Sequence, residues 1–211
     1  RKVVALGERF CGVSYPRPDA GSYILLTFDG RSEEVTANAA RVRSLALQNG
    51  ALDFIELSDA RQCADIWRVR GALVKAVEAV SEQEPVDIVV PISRTADFIR
   101  FINDLEARSG MQMVSFGHAG DGNLHIYCCA NDMELDEFKR RSKAVMDKCY
   151  AKCIEFGGQV SGEHAIGHAK KQYLVESAGE TAFGLMQAIK QVFDPKGILN
   201  PGKVCTNVEE G

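Results

Sequence analysis

The stretch Met111-Gln-Met-Val-Ser-Phe116-Gly117-His118-Ala-Gly-Asp121-Gly122-Asn-Leu124-His125-Ile-Tyr-Cys-Cys129 decides the fold. Two apolar, partly β-branched runs, Met111–Phe116 and Leu124–Cys129, flank a glycine-rich centre that holds Asp121-Gly122. Asp-Gly between such runs is a strong hairpin signal, because a two-residue turn needs positive φ at its centre. Antiparallel neighbours in sequence, set among helices, put the chain in the α+β class. With the turn centred on Asp121-Gly122, positions 120 and 123, 119 and 124, and 118 and 125 face each other. His118 and His125 then stand directly cross-strand on one face, with Cβ atoms roughly 4.5–5.5 Å apart.

Working outward, Val86–Val90 reads as a short strand stopped by Pro91. Ser93 caps a helix to about Arg108, and Ser109-Gly110 ends it. Leu135–Phe156 is the strongest helix, with Leu135, Phe138, Ser142, Val145, Met146, Cys149 and Cys153 on one face and Gly157-Gly158 as its stop. Helices near Ala169–Glu176 and Glu180–Phe193 lead into a Pro/Gly-rich tail. Nearer the N-terminus, Tyr23–Phe28 and Leu52–Leu57 read as strands. Ser32–Gln48 reads as a helix stopped by Asn49-Gly50, and Ser58-Asp59 caps another that carries Ile66, Trp67, Leu73, Val74 and Val77. This alternation predicts antiparallel sheets with helices on one face, arranged as two ferredoxin-like units, plus a C-terminal helical tail.

With 211 residues, 45% of them hydrophobic and 26% charged, the composition is that of an ordinary globular protein. A net charge of −4 argues against broad binding to nucleic acid or anionic membrane. No apolar run approaches the ~20 residues of a membrane span, and the N-terminus lacks a signal-peptide layout. A start at Arg1 suits a fragment or processed product. The seven cysteines show no paired spacing and read as buried small hydrophobes or free thiols in a reducing compartment. A cytoplasmic location follows, with peripheral attachment to a membrane left open.

All four histidines fall in two glycine-punctuated segments, the hairpin and Ser161-Gly162-Glu163-His164-Ala165-Ile166-Gly167-His168. Two imidazoles across a hairpin can bind one metal ion, each at about 2.0–2.1 Å. Glu163 is placed to complete a three-ligand set with an open position, the arrangement of catalytic sites. His164 then stands beside the metal as a base. Blander readings are a tight hairpin with exposed histidines and Glu163 as a helix-capping acid. A third pairs His164 with His168 along a helix, against which Gly167 speaks.

The chain resembles the C-terminal domain of the FAD-linked oxidases, a family that includes D-lactate dehydrogenase, the glycolate oxidase FAD subunit and D-2-hydroxyglutarate dehydrogenase. The resemblance covers most of residues 1–211. It is carried by Gly117-His118-Ala-Gly-Asp-Gly-Asn-Leu-His125, by Gly162-Glu163-His164-Ala-Ile-Gly167 with Lys170 and Tyr173-Leu174, and by Ile189-Lys190, Asp194-Pro195 and Ile198-Leu-Asn200-Pro-Gly-Lys203. Trp67, Arg70 and Val90-Pro91 match more weakly.

The resemblance implies His118, His125 and Glu163 as ligands of a divalent metal, zinc first and manganese or iron in some members. It implies His164 as the base, Arg70 as the grip on a substrate carboxylate, and Asn200 as part of a tail that packs near the flavin. FAD would be bound mainly by an N-terminal domain absent from this chain, and hydride would pass from the Cα of a D-2-hydroxy acid to flavin N5. Val74 and Pro85-Val86 stand where some members carry further substrate-binding polar groups, which favours a small lactate- or glycolate-like acid. Ala165 replaces a usual glycine. The implied partners are a 2-hydroxy acid, the FAD-binding domain and an electron acceptor the sequence does not identify, with a homodimer compatible. The alternatives are a flavin lyase of the alkylglycerone-phosphate synthase type and a non-catalytic ferredoxin-like metal- or ligand-binding module.

Overall fold

The glycine-rich hairpin forms, and it supplies two of the three strands of a sheet. The computed structural model describes residues 1–205. Its strands are β1 (Gln83–Val89), β2 (Gln112–His118) and β3 (Asn123–Cys129), antiparallel in the order β1-β3-β2. The helices are α1 (Lys2–Cys11), α2 (Ser32–Gln48), α3 (Ala60–Gly71), α4 (Leu73–Glu78), α5 (Thr95–Ser109), α6 (Leu135–Glu155), α7 (Lys171–Ala178) and α8 (Glu180–Phe193), with a single 3-10 turn at Ile92–Arg94. None of the described helices is long and apolar enough to cross a membrane. The α+β class expected from the sequence is the one observed.

The hairpin register differs from the sequence expectation. His118 pairs with Asn123 and Phe116 with His125, so Ala119–Gly122 form the loop. Asp121 spends its carboxylate on closing that loop, accepting from Asn123 N at 3.0 Å, while Gly122 N donates to His118 O at 3.1 Å. Gly122 has φ 79°, and a Cβ there would stand 2.0 Å from Val90 O. Only glycine fits both the turn and the close approach. His118 and His125 become diagonal neighbours, still on one face of the sheet because side chains alternate with period two.

The sheet's two faces divide the labour. Val86, Ile88, Met113, Leu124, Ile126 and Cys128 form a buried face, packed with Phe98, Ile102 and Leu105 of α5 and Phe138, Val145, Cys149 and Cys153 of α6. The opposite face carries Asp87, Phe116, His118, Asn123, His125 and Tyr127. Helix α6 matches its predicted span and most of its predicted face, though Leu135 is exposed.

The chain divides into two units, Arg1–Val80 and a second that begins at Ser81. The sheet belongs to the second. In the first, Tyr23–Phe28 and Leu52–Leu57 are not strands, and Ile24 is 73% exposed. The second ferredoxin-like sheet expected there is therefore not formed among the described residues. A strand exists by virtue of a hydrogen-bonded neighbour, and no segment supplies one. The first unit instead packs α1 against α3 and α4, with Gly7 close against Val69 and Leu73. Asp59 caps α3 as expected, its Oδ1 accepting from Gln62 N at 2.8 Å.

Ile126 is fully buried at the centre of the middle strand. Ile126→Ala is expected to cost about 2–5 kcal/mol of unfolding free energy in the second unit, measured by urea unfolding. A loss under about 1 kcal/mol would contradict a core closed over this face.

Candidate metal centre

Both histidine motifs are tied to the C-terminal end of β1. Val90 N donates to Gly122 O at 3.1 Å, which docks the hairpin loop. Val89 and Gln159 exchange backbone hydrogen bonds of 3.0 and 2.8 Å, which brings in the second motif. Just before these anchors in β1 lies Asp87, 1% exposed and directly opposite His125 in the ladder. Asn123 Nδ2 donates to its Oδ1 at 2.8 Å. Its Oδ2 accepts from Ser161 Oγ at 2.9 Å and from the Gly162 and His164 amides at 3.0 Å each. Lys170 Nζ stands 3.4 Å from the same oxygen. Burial pushes the Asp87 carboxyl upward, but the hydrogen bonds from Asn123, the His164 amide and Ser161, with the Lys170 charge, outweigh it. The net effect holds Asp87 well below the usual carboxylate range, so it is ionised at neutral pH.

Glu163 sits between the two amides that Asp87 holds. Its Oε1 is 3.1 Å from His125 Nε2 and 4.0 Å from the Nε2 atoms of both His118 and His164. The His118 and His125 rings meet edge to face at 5.9 Å, and His164 stacks on His125 at 4.9 Å. The ligand atoms of His118, His125 and Glu163 lie within 4.8 Å of one another. Glu163 is 57% exposed, so small side-chain rotations can close this trio to the ~2.0–2.2 Å of nitrogen and carboxylate ligands.

A second trio, Asp87, His125 and His164, also converges. Both oxygens of the Asp87 carboxylate already accept hydrogen bonds, one at Oδ1 and several at Oδ2, so a cation there would have to displace them. Glu163 faces imidazoles instead, which makes the His118–His125–Glu163 trio the better cation site. His125 fits this reading. Its Nε2 faces Glu163, while its buried Nδ1 has no hydrogen bond and stands 3.7 Å from Asp87 Oδ1. One ring nitrogen toward an ion and the other toward a carboxylate is the usual setting of a metal-bound imidazole. Burial lowers the His125 pKa more than the Asp87 charge raises it, with His164 adding to the lowering, which favours the neutral ring a ligand needs.

The segment around Glu163 and His164 is not helical, and α7 begins only at Lys171. This removes two readings, the helical His164–His168 pair and Glu163 as a capping acid. His168 instead turns to the C-terminal tail, with Nδ1 3.0 Å from Gly202 O, while Val204 N donates to Gly167 O at 2.9 Å. Asn200 lies in that tail at φ 46°, its carbonyl accepting from Lys203 N. The tail's turn is held by Asp194, whose oxygens accept from Ile198 N and Leu199 N at 3.0 and 2.9 Å. Arg70 belongs to the first unit, exposed near the end of α3.

Sequence reasoning missed Asp87. The available signal was one acid inside the apolar run Val86-Asp87-Ile88-Val89-Val90, since a charge in a buried strand must find partners. It did identify Ala165 as a departure, and the reason is now visible. Ala165 has φ 63°, in the left-handed region that favours glycine.

The chain matches the model of the family described as FAD linked oxidases, C-terminal domain, over residues 1–204, and it belongs to that family. It is 46% identical to a D-lactate dehydrogenase from Anaerostipes hadrus, over 97% of this chain and 45% of the relative. It is 32% identical to glycolate oxidase subunit GlcD from Bacillus subtilis, over 93% of this chain and 42% of the relative. It is also 32% identical to a D-2-hydroxyglutarate dehydrogenase from Stutzerimonas stutzeri, over 88% and 41%. The chain thus spans less than half the length of these relatives.

Ala165→Gly is expected to raise stability by about 0.5–1 kcal/mol, relief of left-handed strain exceeding glycine's greater entropy when unfolded. A measured loss of stability would show that the Ala165 backbone is not strained.

Proposed function

We propose that this chain is the substrate- and metal-binding domain of an FAD-dependent D-2-hydroxy acid dehydrogenase. The observation that carries the reading is the convergence of His118, His125 and Glu163, with His164 stacked beside them. Family membership supports the flavin chemistry, and the 46% identity to a D-lactate dehydrogenase supports a small hydroxy acid. Val74 and Pro85 favour a lactate- or glycolate-like substrate over one with a second carboxylate.

His118, His125 and Glu163 would hold a divalent ion, zinc first among the candidates. The bound ion would acidify the substrate hydroxyl, and FAD, held mainly by the part of the longer protein outside this chain, would accept the hydride. The remaining work falls to residues of this chain. His164 accepts the hydroxyl proton on its imidazole, which faces the same space as the Glu163 carboxylate. Arg70 binds the substrate carboxylate, for which its planar fork is suited. The Asn200-Pro201-Gly202 turn would be the part of the tail that helps hold the flavin.

The test is a screen of D- and L-2-hydroxy acids on the full-length protein with FAD and added divalent metals, read by reduction of an artificial electron acceptor. Turnover of a small D-2-hydroxy acid is expected, with about one divalent ion per chain by elemental analysis. His118→Ala and Glu163→Ala should each lose the ion. His164→Ala should keep it and lower turnover by ~10²–10⁴. Wild-type protein that binds no metal, or turnover that survives loss of His164, would contradict the reading.

A further inference from the structure

We propose that Asp87 is the positioning residue of the metal centre, holding Glu163 in ligand geometry without binding the ion itself. This rests on the reading of His118, His125 and Glu163 as ligands. The segment from Ser161 to Lys170 has neither helix nor strand to fix it, yet it must present Glu163 to a point set by two histidines of the sheet. Asp87 supplies the fixing. Its Oδ2 takes the amides of Gly162 and His164, the residues on either side of Glu163, so the ligand's own backbone is pinned at two points.

The ends of the segment are held by the same residue. Ser161 Oγ donates to Oδ2 at 2.9 Å, and Lys170 Nζ donates to the Asp87 carbonyl and to Ser161 Oγ at 3.2 Å each. The hairpin is joined in through Asn123, whose Nδ2 donates to Asp87 Oδ1 at 2.8 Å and to Ile88 O at 3.0 Å. Gly162 closes over this pair. A Cβ there would lie 2.0 Å from Asn123 Nδ2 and 3.0 Å from Asp87 Oδ1. Stability alone gives little reason for a carboxylate here, since buried charges are often replaced by apolar groups without loss. What an apolar group could not do is gather donors from both histidine motifs at one point.

The test compares zinc affinity in the full-length protein, by competition with a chromophoric chelator, for wild type, Asp87→Asn, Ser161→Ala and Gly162→Ala. Visible spectra of the cobalt-substituted proteins and melting curves of the metal-free forms accompany it. Asp87→Asn is expected to bind one zinc ion about 10–100-fold more weakly, with shifted cobalt bands, although every metal-facing side chain is intact. Ser161→Ala and Gly162→Ala keep the Asp87 charge and should weaken binding at least about threefold. They also decide the matter if Asp87→Asn does not fold. Wild type that binds no zinc overturns the metal reading itself. Wild-type affinity in the folded variants overturns the role of Asp87 while leaving that reading in place. Cobalt spectra that show one ligand fewer in Asp87→Asn would make Asp87 a ligand, which also overturns the proposal.

Discussion

A single buried carboxylate ties together the two histidine motifs of the second unit. Asp87 sits on an edge strand, nearly inaccessible, and accepts hydrogen bonds from Asn123 in the hairpin and from Ser161, Gly162 and His164 in the second motif. Burying a charge is costly unless it is fully paired. The donors that satisfy Asp87 are drawn from the two segments that carry all the histidines. Burial of this charge and docking of the two motifs therefore stabilise each other.

The consequence is a site built on a rigid surface. Three strands fix His118, His125 and Asp87, and the opposite face of the sheet is locked by the helical core. Glu163 and His164 come from irregular backbone, and their positions are inherited from the sheet through Asp87. This separation leaves the Glu163 carboxylate and the His164 imidazole exposed while the Gly162 and His164 amides are hydrogen-bonded to Asp87.

The α+β class, the hairpin and several helices were legible in the sequence, as were His118, His125 and Glu163, the residues that converge in the candidate site. The motifs could be read because metal ligation and proton transfer favour particular residue types and close backbone approach requires glycine. Helices α2, α5, α6 and α8 followed from apolar periodicity and their stop signals. The hairpin was legible, but its register was not, since Asp121 caps the loop through a side-chain hydrogen bond that no strand pattern records. Tyr23–Phe28 and Leu52–Leu57 have strand composition and no partner among the described residues, and pairing is a tertiary property. Helix α1 was missed although its apolar face is well defined, with Val3, Val4, Leu6 and Gly7 buried and Gly7 set close against Val69 and Leu73. Asp87 left one local sign, an acid inside an apolar run, but not its partners. Its donors lie 36 to 83 residues away, and no local pattern brings them together.

The most direct measurement is anomalous diffraction at the zinc edge from crystals of the full-length protein grown with zinc. One peak is expected in the second unit, bonded to His118, His125 and Glu163 at about 2.0–2.2 Å, with Asp87 and His164 outside the coordination sphere. A peak bonded to Asp87 or His164, or zinc bound elsewhere while these three side chains stay unligated, would contradict it.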